Sequence, residues 1–215
     1  MKIIAYQVFS GKKNMDFDEK LLEEVICSES EPVLRFYGWD EPTLSFGKNQ
    51  IMPVVTKFPS VKRITGGKTL LHDKELTYSF VCRQDFLKNG ESVINSYKEI
   101  SNGLILGFQN LGVKLEFPEN KKISIRHGYC MNISTGSDLS YQGKKIIGSA
   151  QARKKGCILQ HGSILLDYDK KILEETFDEK VEGVISLKEI NPELCDIAFL
   201  CEAIKKGFEQ NFDGL

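Results

Sequence analysis

The chain has 215 residues, 41% of them hydrophobic and 27% charged, with a formal net charge of −1. That balance lacks the basic excess that accompanies nucleic-acid binding, and no apolar run approaches the roughly 20 residues that cross a membrane. The length fits one domain, taken as 1–215, with enough chain to bury a sizeable core.

In chain order, IIAYQVF (3–9) predicts a strand rich in β-branched and aromatic residues. Residues 15–27 predict a helix, acidic in its first turn and apolar at spacings of three and four. PVLRFYGW (32–39) and TLSFG (43–47) predict two strands paired with each other around the turn-forming DEP. VKRIT (61–65) and LTYSFVCR (76–83) predict two more, flanking a glycine pair. Val93, Tyr97, Ile100, Leu104, Phe108 and Leu111 predict a helix over about 92–110, with Gly112 as its stop. Between 122 and 168 the pattern returns to short strands: KISIR, DLSYQ, KKIIGSAQ and CILQHGSILLDYD. Residues 198–211 predict a closing amphipathic helix. Strand runs with a few inserted helices imply an α+β class with a mixed, largely antiparallel central sheet flanked by helices.

The N-terminus lacks the long apolar stretch and small-residue cleavage site of a signal peptide. The six cysteines, Cys27, Cys82, Cys130, Cys157, Cys195 and Cys201, include no Cys-x-x-Cys pair, so no metal site is expected. They fit free thiols in a reducing cytoplasm.

Four stretches can carry chemistry. In RITGGKTLLHD, Gly66 and Gly67 let the backbone approach a ligand or adopt positive φ, and Arg63, Lys68 and His72 flank them. Neither a dinucleotide nor a phosphate-loop fingerprint is present; the alternative is a glycine hairpin with solvated charges. In GKKIIGSAQ, Lys145 is either an edge lysine in water or an ammonium held toward a ligand carbonyl, phosphate or thiolate. Neighbouring strand residues face opposite sides, so Lys144 and Lys145 cannot both turn inward. Cys130 lies in a polar, glycine-containing segment near Arg126 and His127, a setting for a low-pKa thiolate. Cys27, Cys157, Cys195 and Cys201 read as packing residues. In LQHGSILLD, His161 either lines a pocket or is a buried histidine with a backbone partner.

LRFYGWDEPTLSFGKNQ (34–50), KRITGGKTLLHDKELTYS (62–79), CMNISTGSDLSYQGKKIIGSAQARKKG (130–156) and LQHGSILLD (159–167) follow one another in an order that resembles the biotin/lipoate protein ligase and transferase superfamily. Within it they are most similar to the cysteine-dependent octanoyltransferases of lipoate biosynthesis. The resemblance implies the fold of a biotin protein ligase catalytic domain. It implies that Cys130 accepts the acyl group, and that Lys145, just before Ile-x-Gly148, contacts the acyl carbonyl or an activated phosphate. Arg63, Gly66, Gly67, Lys68 and His72 would cover the acyl chain, and His161-Gly162 would form a pocket strand. Leu70, Leu71, Tyr78 and Ile164 are candidate walls.

A basic residue at Lys68, where ligases commonly carry a third glycine, favours the transferase branch, as does the short stretch after the His-Gly strand. The expected donor is octanoyl-acyl carrier protein. The expected acceptors are lipoyl-domain proteins such as glycine cleavage H protein or a 2-oxoacid dehydrogenase E2 component. No resident cofactor is expected, and ATP with Mg enters only if the chain is instead a lipoate ligase subunit without its accessory domain.

Overall fold

A computed structural model describes residues 1–28, 31–118 and 138–213. The strand β1 (Lys2–Phe9) runs directly into α1 (Gly11–Ser28). The helix starts four residues before the predicted Met15 because Ser10 caps it, its hydroxyl accepting from the Lys13 N–H at 3.4 Å and its carbonyl from the Asn14 N–H at 2.9 Å. Then follow β2 (Val33–Trp39), β3 (Thr43–Phe46), β4 (Ser60–Lys62), β5 (Leu70–His72) and β6 (Glu75–Arg83). After α2 (Val93–Gln109) come β7 (Leu139–Tyr141), β8 (Lys144–Lys154) and β9 (Cys157–Leu165). The chain closes with α3 (Lys170–Phe177), the single turn α4 (Leu187–Ile190) and α5 (Ile197–Phe212).

Six strands form one sheet in the order β1-β2-β6-β9-β8-β7. Only β1–β2 is parallel; the other pairs are antiparallel. The sheet is therefore mixed and largely antiparallel, in an α+β arrangement. Two tight hairpins build its far half. Gln142-Gly143 and Lys155-Gly156 each put two successive residues at positive φ (49° and 75°, then 47° and 75°), the twist that a two-residue connection between antiparallel strands requires.

The predicted pairing of residues 32–39 with 43–47 does not occur. Both edges of β2 are taken, by β1 and β6, so β3 has no free edge there. It leaves to form a separate small sheet, β4-β3-β5. The predicted strand KISIR lies outside the described residues. The strand β5 and the helix α3 were not predicted. α3 hides at the end of an apolar run, and its start is marked by Asp169, which accepts from the Ile172 N–H at 3.1 Å.

Strand alternation sorts the core into two layers. Leu34, Phe36, Leu76, Tyr78, Phe80, Ile158 and Ile164 face α2 and α5 in the larger cluster. Val33, Val81 and Leu159 face α1 through Leu21, Leu22 and Val25. Farther along that second face the strands turn polar: Arg35, Glu75, Thr77, Ser79, His161 and Ser163 are all buried. Buried polar groups need partners, and those partners define the candidate site.

Helices α2 and α5 cross on glycines. A Cβ at Gly207 would stand 2.2 Å from the Gly107 nitrogen, and one at Gly107 would stand 2.8 Å from the Ile204 Cα. Both obstacles are backbone, so neither can move aside cheaply. Each glycine costs about 1 kcal/mol in helix propensity, which the close approach offsets. Gly207→Ala is expected to lower unfolding free energy by about 1–3 kcal/mol in urea titration. An unchanged midpoint would mean that the helices do not meet there.

Candidate active site

The cleft opens on the polar stretch of the sheet, between α1, the small sheet and the middle of β8 and β9. Its empty volume is about 470 Å³, the open space at its mouth included. Arg63, Gly67, His72, Gly148, His161 and Gly162 line it, together with Tyr37, Trp39, Ser45, Leu70 and Thr77.

Its floor is built on Asp18 of α1. The carboxylate accepts from Arg35 Nη1 at 2.7 Å, the Tyr37 hydroxyl at 2.9 Å and His161 Nδ1 at 3.0 Å. Arg35 Nη2 also donates to the Asn14 side chain at 2.6 Å. Burial pushes the Asp18 carboxyl up, but the hydrogen bond and charge of His161 and then the Arg35 guanidinium outweigh it, so it lies below the usual carboxylate range. On the other side of the ring, His161 Nε2 shares a hydrogen bond with the Thr65 hydroxyl at 2.8 Å. Thr65 precedes the glycine pair, so one histidine ties α1, β9 and the glycine turn together.

A second chain of hydrogen bonds forms one wall. His72 Nδ1 donates to Glu75 Oε1 at 2.7 Å, and the same oxygen accepts from the Thr77 hydroxyl at 2.6 Å. Trp39 Nε1 donates to Thr77 at 2.9 Å, and its ring stacks on His72 with centroids 3.8 Å apart at 13°. Burial lowers the His72 pKa despite Glu75, so the imidazole is neutral at pH 7 and Nε2 accepts from the Ser45 hydroxyl at 2.7 Å. The Glu75 carboxyl is pushed up by burial, but His72 and its other hydrogen-bond donors hold it below its ordinary value.

Arg63 shapes the lip. Nη1 donates to both the hydroxyl and the carbonyl of Ser45 at 2.9 Å, and Nη2 to the carbonyls of Gly66 (2.8 Å) and Lys68 (2.7 Å). The guanidinium thus curls the turn around itself. Gly67 has φ +95°, and a Cβ there would stand 2.9 Å from Arg63 Nη2.

Lys145 is turned inward and only 3% exposed, whereas Lys144 is exposed. Its Nζ pairs with Asp138 Oδ2 at 3.0 Å, and Asp138 Oδ1 accepts from the Ser149 N–H at 3.3 Å. The Lys145 backbone is clamped by Gly183 and Ile185 at 2.8 and 3.0 Å. Lys145 does not itself line the cleft; Gly148, three residues on, does.

Residues 10–209 match the family described as the lipoyl protein ligase A/B catalytic domain. The chain belongs to this family. It is 38% identical to octanoyltransferase LipM of Carboxydothermus hydrogenoformans, over 98% of this chain and 87% of that protein. It is 39% identical to octanoyltransferase LipM of Macrococcus caseolyticus, over 93% and 82%. Among solved structures, lipoate-protein ligase A bound with ATP shares the fold, with a TM-score of 0.78 at 20% identity, covering 98% of this chain and 84% of that one.

Of the residues singled out from the sequence, the cleft gathers Arg63, Gly67, His72, Gly148, His161 and Gly162. Gly66 and Lys68 do not line it; their carbonyls hold Arg63 instead. Cys130, Arg126 and His127 lie outside the described residues. Of the candidate walls, only Leu70 reaches the cleft. Tyr78 and Ile164 alternate to the opposite face and join the larger core, and Leu71 packs with Leu44, Phe46 and Leu165. Cys157 is buried at the start of β9, as expected of a packing residue, but Cys27 is exposed on the last turn of α1.

Sequence reasoning missed Asp18, Ser45, Glu75 and Asp138. One signal was available: Glu75 immediately precedes the predicted strand 76–83, in phase with its polar residues Thr77 and Ser79.

Removing Asp18 leaves Arg35 buried and unpaired. Asp18→Asn is expected to cost about 3–5 kcal/mol of stability at pH 7. Because the folded Asp18 pKa is depressed, its contribution is complete above the unfolded carboxylate pKa, roughly 4, and is lost as pH falls through the folded value. Urea titrations against pH should therefore show a gap between wild type and variant that is constant above about pH 5 and closes in acid. A gap that widens in acid would contradict the assignment.

Proposed function

We propose that the chain is an octanoyltransferase, one catalytic domain over 1–215 acting in the cytoplasm. It moves an octanoyl group from octanoyl-acyl carrier protein to a lysine of a lipoyl-domain protein, through a thioester on Cys130. The observation that carries this reading is the family membership together with octanoyltransferase relatives at 38–39% identity over nearly the whole chain.

In the first half-reaction, the Cys130 thiolate attacks the carrier thioester, and the pantetheine thiolate leaves with the proton that Cys130 gave up. In the second, the acceptor amine attacks the Cys130 thioester, an amide forms, and the amine's surplus proton returns to the cysteine sulfur. A thiol of ordinary pKa is only a few per cent thiolate at pH 7. The buried Lys145 ammonium, fixed by Asp138 at 3.0 Å, supplies the positive field that favours the thiolate and the developing oxyanion.

The cleft takes the acyl chain, which contributes about 0.8 kcal/mol per buried methylene. Gly148 and Gly162 line it with backbone alone. A Cβ at Gly162 would come within 2.7 Å of the Gly148 carbonyl, Ser149 Oγ and the Tyr78 ring, so no side chain fits between those strands. Within the cleft wall His72 is neutral, and Asp18 is ion-paired with Arg35.

Incubation with octanoyl-acyl carrier protein in the absence of ATP, followed by intact-mass measurement, is expected to show one octanoyl adduct. The adduct is lost in Cys130→Ala and retained in Cys157→Ala. Lys145→Gln is expected to slow its formation by about 100-fold or more. An adduct that survives Cys130→Ala would sink the assignment.

A further inference from the structure

One wall of the cleft holds three groups that the proposed transfer leaves unused. The Ser45 hydroxyl donates to His72 Nε2 at 2.7 Å, and His72 Nδ1 donates to Glu75 Oε1 at 2.7 Å. Ser45 sits on β3, His72 on β5 and Glu75 on β6, so both sheets are needed to bring the three together. A hydroxyl bonded to an imidazole that a carboxylate orients is the arrangement that activates a nucleophile, and geometry identifies it whatever the order in the chain. The direction of each bond follows from the charges. The Glu75 carboxylate only accepts, so Nδ1 carries the imidazole proton, and the neutral ring turns the lone pair of Nε2 toward the serine.

Two further features suit chemistry. Ser45 and His72 both line the cleft, and Arg63 Nη1 stands 2.9 Å from Ser45 Oγ, where a guanidinium favours an alkoxide and an oxyanion formed beside it. The base is also held in one orientation. The Trp39 ring stacks on His72 with centroids 3.8 Å apart, and the Thr77 hydroxyl donates to the same Glu75 oxygen at 2.6 Å. Ser45 is 1% exposed and His72 6%, so only a slender acyl group reaches the hydroxyl.

We propose that Ser45, His72 and Glu75 form a second acyl-accepting centre, which hydrolyses short-chain carboxylic esters through an ester on Ser45. Ser45 Oγ attacks the carbonyl carbon as its proton passes to His72 Nε2. The bond between the acyl carbon and the alcohol oxygen then breaks, and the departing alcohol takes that proton. Water attacks the acyl-serine, one of its protons passing to Nε2 and on to Ser45 Oγ as the carboxylic acid leaves. Ser45 and His72 are catalytic residues here, and Glu75 is a positioning residue that holds the imidazole. No step uses Cys130, so this activity and the octanoyl transfer stand or fall separately.

Diisopropyl fluorophosphate is the direct probe, because an activated serine displaces its fluoride and keeps the phosphoryl group. Wild type is expected to take one label, placed on Ser45 by peptide mass mapping, and to hydrolyse p-nitrophenyl butyrate. His72→Gln slows both by about 100-fold or more, with thermal midpoints checking that it folds. If it does not fold, the wild-type label and its pH profile decide. That profile is level through pH 7 and falls in acid as His72 takes up a proton. The groups that face His72 are Glu75, Arg63, His161 and the Ser163 hydroxyl, with Trp39 stacked on the ring. In Glu75→Gln the acid limb moves to lower pH, because the carboxylate that raises the His72 pKa is gone.

A wild type that takes no label, or takes it elsewhere, overturns the proposal. So does butyrate hydrolysis that persists in Ser45→Ala. A label on Ser45 without ester turnover overturns the hydrolytic step, and an acid limb unmoved in Glu75→Gln overturns the role of Glu75. A wild type that labels at Ser45 and turns over the ester, yet forms no octanoyl adduct on Cys130, supports this site while contradicting the transferase reading.

Discussion

One carboxylate buried between a helix and a sheet organises the candidate site. Asp18 reaches from α1 to Arg35 and Tyr37 on β2 and to His161 on β9, and through His161 to Thr65 at the start of the glycine turn. Its surroundings keep it ionised, and that charge holds His161 Nδ1 and Arg35 in place. The buried Arg35 needs that charge, because an isolated guanidinium under a helix is prohibitively costly. The helix, the sheet floor and the loop that forms the lip are therefore not independent: moving any one of them leaves a charge without its partner.

Around this point the cleft is made by what is absent as much as by what is present. Gly148 and Gly162 line it without side chains, and at Gly162 the Tyr78 ring and Ser149 Oγ leave no space for one. Arg63 spends its donors on the carbonyls of the turn it belongs to, so its charge serves to fix backbone. His72, pinned between Trp39 and Glu75, stays neutral. The outcome is a polar framework most of whose groups bond to one another, with Arg35 Nε and Ser79 Oγ left without a hydrogen bond. Lys145 and Asp138 form a separate pair at the start of β8, where the strand is held by β7 on one side and residues 183–185 on the other.

Much of the fold was legible because its signals are local. β1, β6, β8 and β9 each carry a short run of strand-forming residues, and α2 and α5 a spacing of three and four. The pairing of β3 was not legible: TLSFG after DEP looks like the second arm of a hairpin, and only the occupation of both β2 edges forbids it. α3 was hidden because Leu165 and Leu166 continue an apolar run right up to its cap. In the site, Gly66, Gly67, Gly148 and Gly162 stood out because glycine marks backbone that must approach something. Asp18 and Ser45 did not, since each becomes functional only through a partner 17 to 143 residues away, and sequence spacing carries no trace of such pairs. The two lysines of GKKII posed a question of parity, and the sheet answers it by turning Lys145 inward.

The account stands on the identity of the activated acyl donor. An end-point assay should offer the protein an apo lipoyl-domain acceptor with either octanoyl-acyl carrier protein alone or free octanoate plus ATP and Mg, and mass spectrometry should follow octanoylation of the acceptor lysine. The account predicts a modified acceptor from the carrier thioester alone, at a rate that ATP does not change. Modification only from the free acid with ATP, and none from the thioester, would contradict it.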